Sequence, residues 1–247
     1  MKLIPVIDLK GGLVVAARLG ERRRYAPIMS PLCPTAAPSA VAAALLGLHP
    51  FAILYLADLD AIGGGAGHLE VVERLHRRHP RVSLWVDRGL TGLDRLMGVA
   101  RPVIGSESIA DLEQWADLKA RLGAPVLSLD YRADQFLGPT GLDRRPDLWP
   151  TDLILMTLAR VGSGQGPDLD RLGALRRLAP GHRVYAAGGV RDAADLRQLR
   201  TLGVAGALVC TALHQGRIGP ADLAELDDGE PSPDCSCKVP AGIRGST

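Results

Sequence analysis

Aromatic residues are scarce in this chain, with two Phe, four Tyr and three Trp among 247 residues. A core without many rings has to be built from Leu, Val, Ile and Ala, which suits parallel strands buried on both faces. Cysteine is almost as rare. Four scattered thiols make no disulfide framework and match the usage of a reducing cytoplasm. Cys235 and Cys237 form a C-x-C pair without a partner pair, which argues against a metal there. Charge of one sign is lacking too. With 29 Lys and Arg against 27 Asp and Glu, no basic surface on the scale of nucleic acid is expected. The local exception is ERRR at Glu21–Arg24, read as a solvated loop with anion contact as the alternative. No segment approaches the roughly 18 apolar residues of a membrane span. The opening MKLIPVID is interrupted by Pro5 and stopped by Asp8, unlike a signal peptide. A soluble, cytoplasmic protein is expected, with neither nucleic acid nor membrane as partner.

What the chain does contain is a rhythm. Eight short apolar runs occur at 3–8 (LIPVID), 51–57 (FAILYLA), 82–87 (VSLWVD), 102–105 (PVIG), 125–130 (PVLSLD), 153–158 (LILMTL), 183–187 (RVYAA) and 206–210 (GALVC). Longer stretches between them have helical spacing, among them 68–79, 108–123 and 192–203, and the last two end on glycine, a common helix stop. Eight strand–helix units predict an α/β protein, a (β/α)8 TIM barrel over residues 1–226. A doubly wound open sheet is the rival.

The two halves also resemble each other. LADLDAIGGGAG (56–67) aligns with LMTLARVGSGQG (155–166), WVDRGL (85–90) with YAAGGV (185–190), PVIGS (102–106) with ALVCT (207–211), and VID (6–8) with SLD (128–130). Two fused half-barrel repeats are expected. One unit breaks the pattern. Between Asp130 and the sixth run lie Pro139, Pro146 and Pro150. Proline removes a helical N–H and clashes with the preceding turn, so the fifth helix is expected to be largely missing. Segment 9–35 is a second irregular stretch, long enough to cover the barrel mouth. Residues 227–247, rich in Pro, Gly and Ser, are expected to form a disordered tail.

Barrel chemistry gathers at the C-terminal strand ends. Read in order, those ends carry Asp8, Asp58 with Asp60, Asp87, Gly105-Ser106, Asp130, Thr157, Gly188-Gly189 and Cys210-Thr211. Asp8 and Asp130 face each other across an eight-stranded ring. Such a pair can divide into general acid and general base when its surroundings separate the two pKa values; the plain alternative is that each caps a loop or meets an arginine. Thr157, where a strand-six carboxylate would stand, is the third catalytic candidate, and no acid follows until Asp168. Glycine loops near helix N-termini are expected to hold phosphate on backbone N–H groups. Gly188 and Gly189, Cys210 and Thr211, and Arg160 with Gly162 form one set; Arg88, Gly89, Gly105 and Ser106 form its counterpart in the first half. Tight turning alone would also explain such glycines. His68, His76 and His79 read as solvated, and His214 lies just past the eighth loop. No histidine or cysteine pair supports a metal site, and no cofactor is expected.

IPVIDLKGGLVV, LYLADLDA, PVIGSES, VLSLD, AAGGV and GALVCTALHQG, in that order over about residues 1–225, resemble the HisA/HisF barrels of histidine biosynthesis. That family's isomerase performs an Amadori rearrangement of a phosphoribosyl aldose to a ketose on a substrate with two phosphates. Its cyclase closes an imidazole ring on a similar ligand. Both use aspartates after strands one and five, positions that fall on Asp8 and Asp130. The sequence departs from the pattern after strand six, where T-D-I-x-x-D-G is replaced by Thr157-Leu158-Ala159-Arg160-Val161-Gly162 after Met156. After strand three, G-G-I-R gives way to Asp87-Arg88-Gly89-Leu90, and the eighth loop carries Cys210 for a glycine. W-V-D-x-G, G-S-E-S and R-V-G-S are closer to a HisA/HisF-related branch of methanogenic archaea and methylotrophic bacteria, which implies a link to C1-coenzyme metabolism. The resemblance therefore implies an enzyme of isomerase or lyase type that acts on a phosphorylated, phosphoribosyl-type small molecule by carboxylate acid–base chemistry, altered rather than lost. The alternatives are the phosphoribosylformimino-aminoimidazole carboxamide ribotide isomerase of the histidine pathway and a non-catalytic phosphosugar-binding or scaffold subunit. Assembly as a homo-oligomer is compatible with either.

Overall fold

The computed structural model describes residues 1–228. Ten strands form one sheet: β1 (Lys2–Lys10), β2 (Leu13–Val15), β3 (Ile53–Asp58), β4 (Ser83–Asp87), β5 (Arg101–Gly105), β6 (Val126–Arg132), β7 (Gln135–Leu137), β8 (Asp152–Thr157), β9 (Arg183–Ala187) and β10 (Gly206–Val209). Eight pair in parallel in the order β1-β3-β4-β5-β6-β8-β9-β10. β10 then returns to β1 with Lys2 opposite Gly206 and Pro5 opposite Val209, which closes the ring. This is a (β/α)8 barrel, and closure rules out the open sheet.

Strand alternation explains why these runs are apolar throughout. Side chains of one parity point inward: Ile4, Val6, Tyr55, Trp85, Val103, Val126, Ile154, Tyr185 and Leu208 form an inner core. The other parity, including Leu3, Ile7, Leu54, Leu56, Leu127, Leu129, Leu153 and Leu155, packs outward under the helices. The halves meet inside, where repeat-related Trp85 and Tyr185 pack edge to face at 5.0 Å. At the N-terminal end Asp152 is fully buried between Arg101 and Arg183, with N···O distances of 2.7 and 2.6 Å.

The helices are α1 (Pro38–Leu48), α2 (Leu59–Ile62), α3 (Leu69–Arg78), α4 (Leu112–Leu122), α5 (Leu169–Leu178), α6 (Ala193–Leu202), α7 (Thr211–His214) and α8 (Pro220–Leu226). Their limits follow local chemistry. Asp111 caps α4 by accepting from Gln114 N, and Asp192 caps α6 by accepting from Ala194 N and Asp195 N. Gly203, in the left-handed region at φ 76°, ends α6. The prolines do remove the fifth helix: short 3-10 turns at Leu142–Arg144 and Pro146–Leu148 take its place. The third helix is missing as well, which the expected eight strand–helix units did not include. Only a 3-10 turn at Leu93–Leu96 follows β4, because Arg88 folds back to donate to Thr91 O and glycines at 92 and 98 adopt positive φ.

Two residues past α8 keep contact with the barrel. Asp227 accepts from Leu3 N at 3.2 Å and lies 3.0 Å from His49 Nε2, while Asp228 pairs with the N-terminal ammonium. These two acids answer donors at the barrel's lower end. The rest of the expected tail, with Cys235 and Cys237, lies outside the described residues. Among the described residues no helix is long and apolar enough to cross a membrane.

Candidate active site

Two short hairpins position the paired aspartates. β1 turns into β2 with Asp8 opposite Val15, and β6 turns into β7 with Asp130 opposite Leu137. Both strands therefore end in the same way, each with two further residue pairs between its carboxylate and the turn. Asp8 and Asp130 line one cavity at the C-terminal end of the barrel, together with Tyr55, Asp87 and Glu107.

Their surroundings differ. Asp8 is 8% exposed, and among the described residues no donor bonds its carboxylate. Burial pushes its pKa up to about 7, and only the Arg22 cation pulls the other way. Asp130 accepts from Ser128 Oγ at 2.6 Å and from Glu107 N at 3.3 Å. Burial nonetheless pushes it up to about 8, with the negative charges of Glu107 and Asp87 adding to the shift. Asp87 is raised to about 6 by desolvation, opposed by the Gly89 N–H it accepts at 3.0 Å. Asp87 and Asp130 flank Gly105: a Cβ there would stand 2.9 Å from Asp130 Oδ2 and 3.4 Å from Asp87 Oδ2. Tyr55, whose hydroxyl lies 3.5 Å from Asp87 Oδ2, has its phenol held well above its ordinary range by burial and by these carboxylates.

Above them lies the segment after β1. Leu19 N donates to Val161 O at 2.8 Å and Lys10 Nζ to Arg22 O at 2.6 Å, which carries this loop across the mouth to the loop after β8. Arg22 then pairs with Glu107 over the cavity. The cluster Glu21–Arg24 is thus more than a solvated loop, because one of its cations is spent on the site's own acids.

The opposite side of the cavity is lined by Gly162, Gly164, Gly188, Gly189 and Thr211, with Arg217 nearby. Among the described residues none of these five backbone N–H groups has a hydrogen-bond acceptor. Gly189 cannot be anything else: its φ is +93°, and a Cβ would fall 2.1 Å from Gly166 O. Cys210 also lines the cavity, its thiol pushed up by burial.

Several expected site residues face elsewhere. Arg88 is buried in the wall, donating to Ala66 O at 3.0 Å and to Asp58 Oδ2 at 3.3 Å, since the fully buried Asp58 needs a cation more than the cavity does. The Gly89 N–H is spent on Asp87. Ser106 accepts from Asp130 N and donates to Leu137 O, bracing the β6–β7 hairpin. Gly105 lies under the carboxylates. Thr157 is buried below the rim, 3.3 Å from Asp168 Oδ2. Asp168 is the acid that the strand end lacks, returned by the loop. It is occupied in capping α5 and in an ion pair with Arg171 at 2.7 Å. Arg160 ties the same loop by donating to Gly166 O and Pro167 O.

His68, read as solvated, and His214 are both held by hydrogen bonds. His68 Nε2 lies 2.8 Å from Asp60 Oδ2 and 3.1 Å from Gly12 N, joining two loops. His214 is buried with Nδ1 3.0 Å from Ser30 Oγ. Glu107, Tyr55 and Arg22 are cavity residues that sequence reasoning missed, and Asp87 was named at its strand end without a role. Tyr55 was detectable by inward parity and Asp87 by its strand end, whereas Glu107 and Arg22 meet only through loop packing.

A family model described as histidine biosynthesis protein matches residues 2–219. The chain is 28% identical over 235 residues to an uncharacterized protein of Methanocaldococcus jannaschii, covering 92% of this chain and 97% of the relative. It is 31% identical over 243 residues to a Rubrobacter xylanophilus protein named 1-(5-phosphoribosyl)-5-((5-phosphoribosylamino)methylideneamino)imidazole-4-carboxamide isomerase, covering 91% and 94%. An Azotobacter vinelandii protein of the same name is 30% identical over 251 residues, covering 93% and 99%.

Proposed function

The chain belongs to the histidine biosynthesis protein family, and from that premise we propose that it isomerises or cleaves a phosphorylated, ribosyl-type small molecule with Asp8 and Asp130 as its acid–base pair. One observation carries the proposal: two carboxylates at equivalent hairpin positions line the same cavity, and burial brings both into the neutral range. In an aldose-to-ketose step the ring oxygen must gain a proton as the C–O bond opens, and the C2 proton must leave to a base. Asp130, higher at about 8, holds the proton to give. Asp8, at about 7, is ionised in a large share of molecules and receives the C2 proton. Substrate phosphate rests on the unpaired N–H groups of Gly188, Gly189 and Thr211. The loop carrying Arg22 keeps water from the carboxylates. With the base at about 7 and the acid at about 8, turnover should peak between about pH 7 and 8.

Purified Asp8→Asn and Asp130→Asn variants, assayed against phosphoribosyl aldoses, should each lose about 10²–10⁴ in kcat while binding inorganic phosphate as before. Unchanged turnover in either variant rejects its assignment. Turnover of no phosphosugar by the wild-type protein, despite binding, would replace the proposal with a binding or scaffold role. The names of the Rubrobacter and Azotobacter relatives support a narrower form, the histidine-pathway isomerase itself. That form requires the gene to rescue an isomerase-deficient histidine auxotroph; failure favours the C1-coenzyme branch.

A further inference from the structure

We propose, resting on the phosphate-binding reading of this cavity, that its substrate carries one phosphate and, at the far end, an organic ammonium group, rather than a phosphate at each end. The two halves of the barrel are repeats, yet their ends of the cavity are opposite in chemistry. In the second half Gly188 and Gly189 present N–H groups that have no acceptor among the described residues. At the equivalent position of the first half, Arg88 is withdrawn into the wall by Asp58 and Ala66, and the Gly89 N–H is satisfied by Asp87. At these two positions neither the guanidinium nor the N–H is left for a second phosphate.

Carboxylates face the cavity instead. Asp8, Asp87, Glu107 and Asp130 all line it. Arg22 answers Glu107, and Arg132 stands exposed on the rim. Asp87 and Asp130 converge over Gly105. Asp8 supplies an independent sign of a missing partner: its carboxylate is more than nine-tenths buried, faces the cavity and receives no hydrogen bond among the described residues. A phosphate dianion here would meet four carboxylates, with Arg22 already paired to Glu107 and Arg132 the remaining cation at that end. Among the described residues no group of three or more His, Cys, Asp or Glu is placed to hold a metal ion. An ammonium, with three N–H donors, can spread its charge over several such carboxylates. Bringing that charge beside Asp8 favours its ionised form, the one a base needs, so protons should leave the protein on binding.

Isothermal titration of the full chain with ω-aminoalkyl phosphates of increasing length, with alkyl phosphates of matching length and with the corresponding bisphosphates tests this. At the best length the amine should improve affinity at least about tenfold over the alkyl phosphate. Buffers of different ionisation heat should reveal proton release. Asp87→Asn should erase most of the gain while alkyl phosphate still binds; Asp87→Glu, which keeps the charge, should retain part of it. A bisphosphate that binds as tightly as the aminoalkyl phosphate overturns the inference, as does an alkyl phosphate that binds equally well. Binding of no phosphate at all overturns the phosphate-binding reading and this inference with it.

Discussion

Replacing Asp8 by Asn should make the protein more stable at neutral pH while disabling it. Asp8 ionises near 3.8 when solvated and at about 7 in the fold. Because the folded value is the higher one, the stability contributed by the protonated carboxyl is intact below about pH 4. It is lost as pH rises to and through about 7. A change from 3.8 to about 7 is worth about 4 kcal/mol of folding free energy on the alkaline side. Asn has the same shape and never ionises, so it escapes that loss. It carries its own cost, an unpaired buried amide, of about 1–3 kcal/mol, but that cost is the same at every pH. The stability difference between Asn and Asp proteins should therefore grow by about 3–4 kcal/mol between pH 4 and pH 8. In net terms the variant should gain about 1–3 kcal/mol at pH 8, roughly 2–12 °C in melting temperature for a domain of this size. Urea denaturation of both proteins across that pH range measures it directly. A difference that stays flat with pH, or that turns against Asn as pH rises, would refute the idea that Asp8 is a buried, unpartnered carboxylate.

Asp152→Ala, which removes the carboxylate shared by Arg101 and Arg183 at the barrel floor, should cost about 3–5 kcal/mol in urea melts without changing phosphate affinity. Gly189→Ala should cost more than about 1 kcal/mol, since neither its φ nor the 2.1 Å approach to Gly166 O admits a methyl group; calorimetry should show inorganic phosphate binding lost as well. Arg22→Ala removes the cation that lowers Asp8. The Asp8 carboxyl signal in a ¹³C NMR titration should then move to higher pH, with little change in melting temperature.

The barrel was legible because it is written in repeated, short-range signals. Each apolar run became a strand within a residue or two, and alternation assigned its inner and outer faces. The prolines between Asp130 and Asp152 announced a missing helix. The missing third helix had a weaker marker in Gly92 and Gly98, to which Arg88 adds by reaching Asp58, thirty positions away, a contact no local pattern encodes. Asp8 and Asp130 were visible from strand ends and the repeat. Arg22 and Glu107 were not, because 85 positions separate them and their meeting depends on how one loop crosses the mouth. Asp168 shows the same limit from another side. By sequence it seemed too far from Thr157 to replace a strand-end acid, but the glycines of GSGQG let the chain return until the two stand 3.3 Å apart.

The repeat also locates where the two ends of the cavity diverged. Asp58 and Thr157 occupy matching strand ends, as do Arg88 and Gly188. Where the strand end is an acid, it is fully buried and draws the arginine inward, with Ala66 and Thr91 each accepting a further guanidinium N–H. Where it is a threonine, no cation is needed, and the partner position can remain glycine with its N–H turned to the cavity. Asp58 and Arg88 therefore form one coupled substitution. Changing Arg88 to Gly alone would leave Asp58 buried without its cation and should destabilise the barrel by about 3–5 kcal/mol. Asp58→Thr together with Arg88→Gly should recover most of that loss and open backbone donors in the first half. If the double variant melts no higher than Arg88→Gly, the two residues are not a coupled pair, and the divergence of the half-barrels needs another origin.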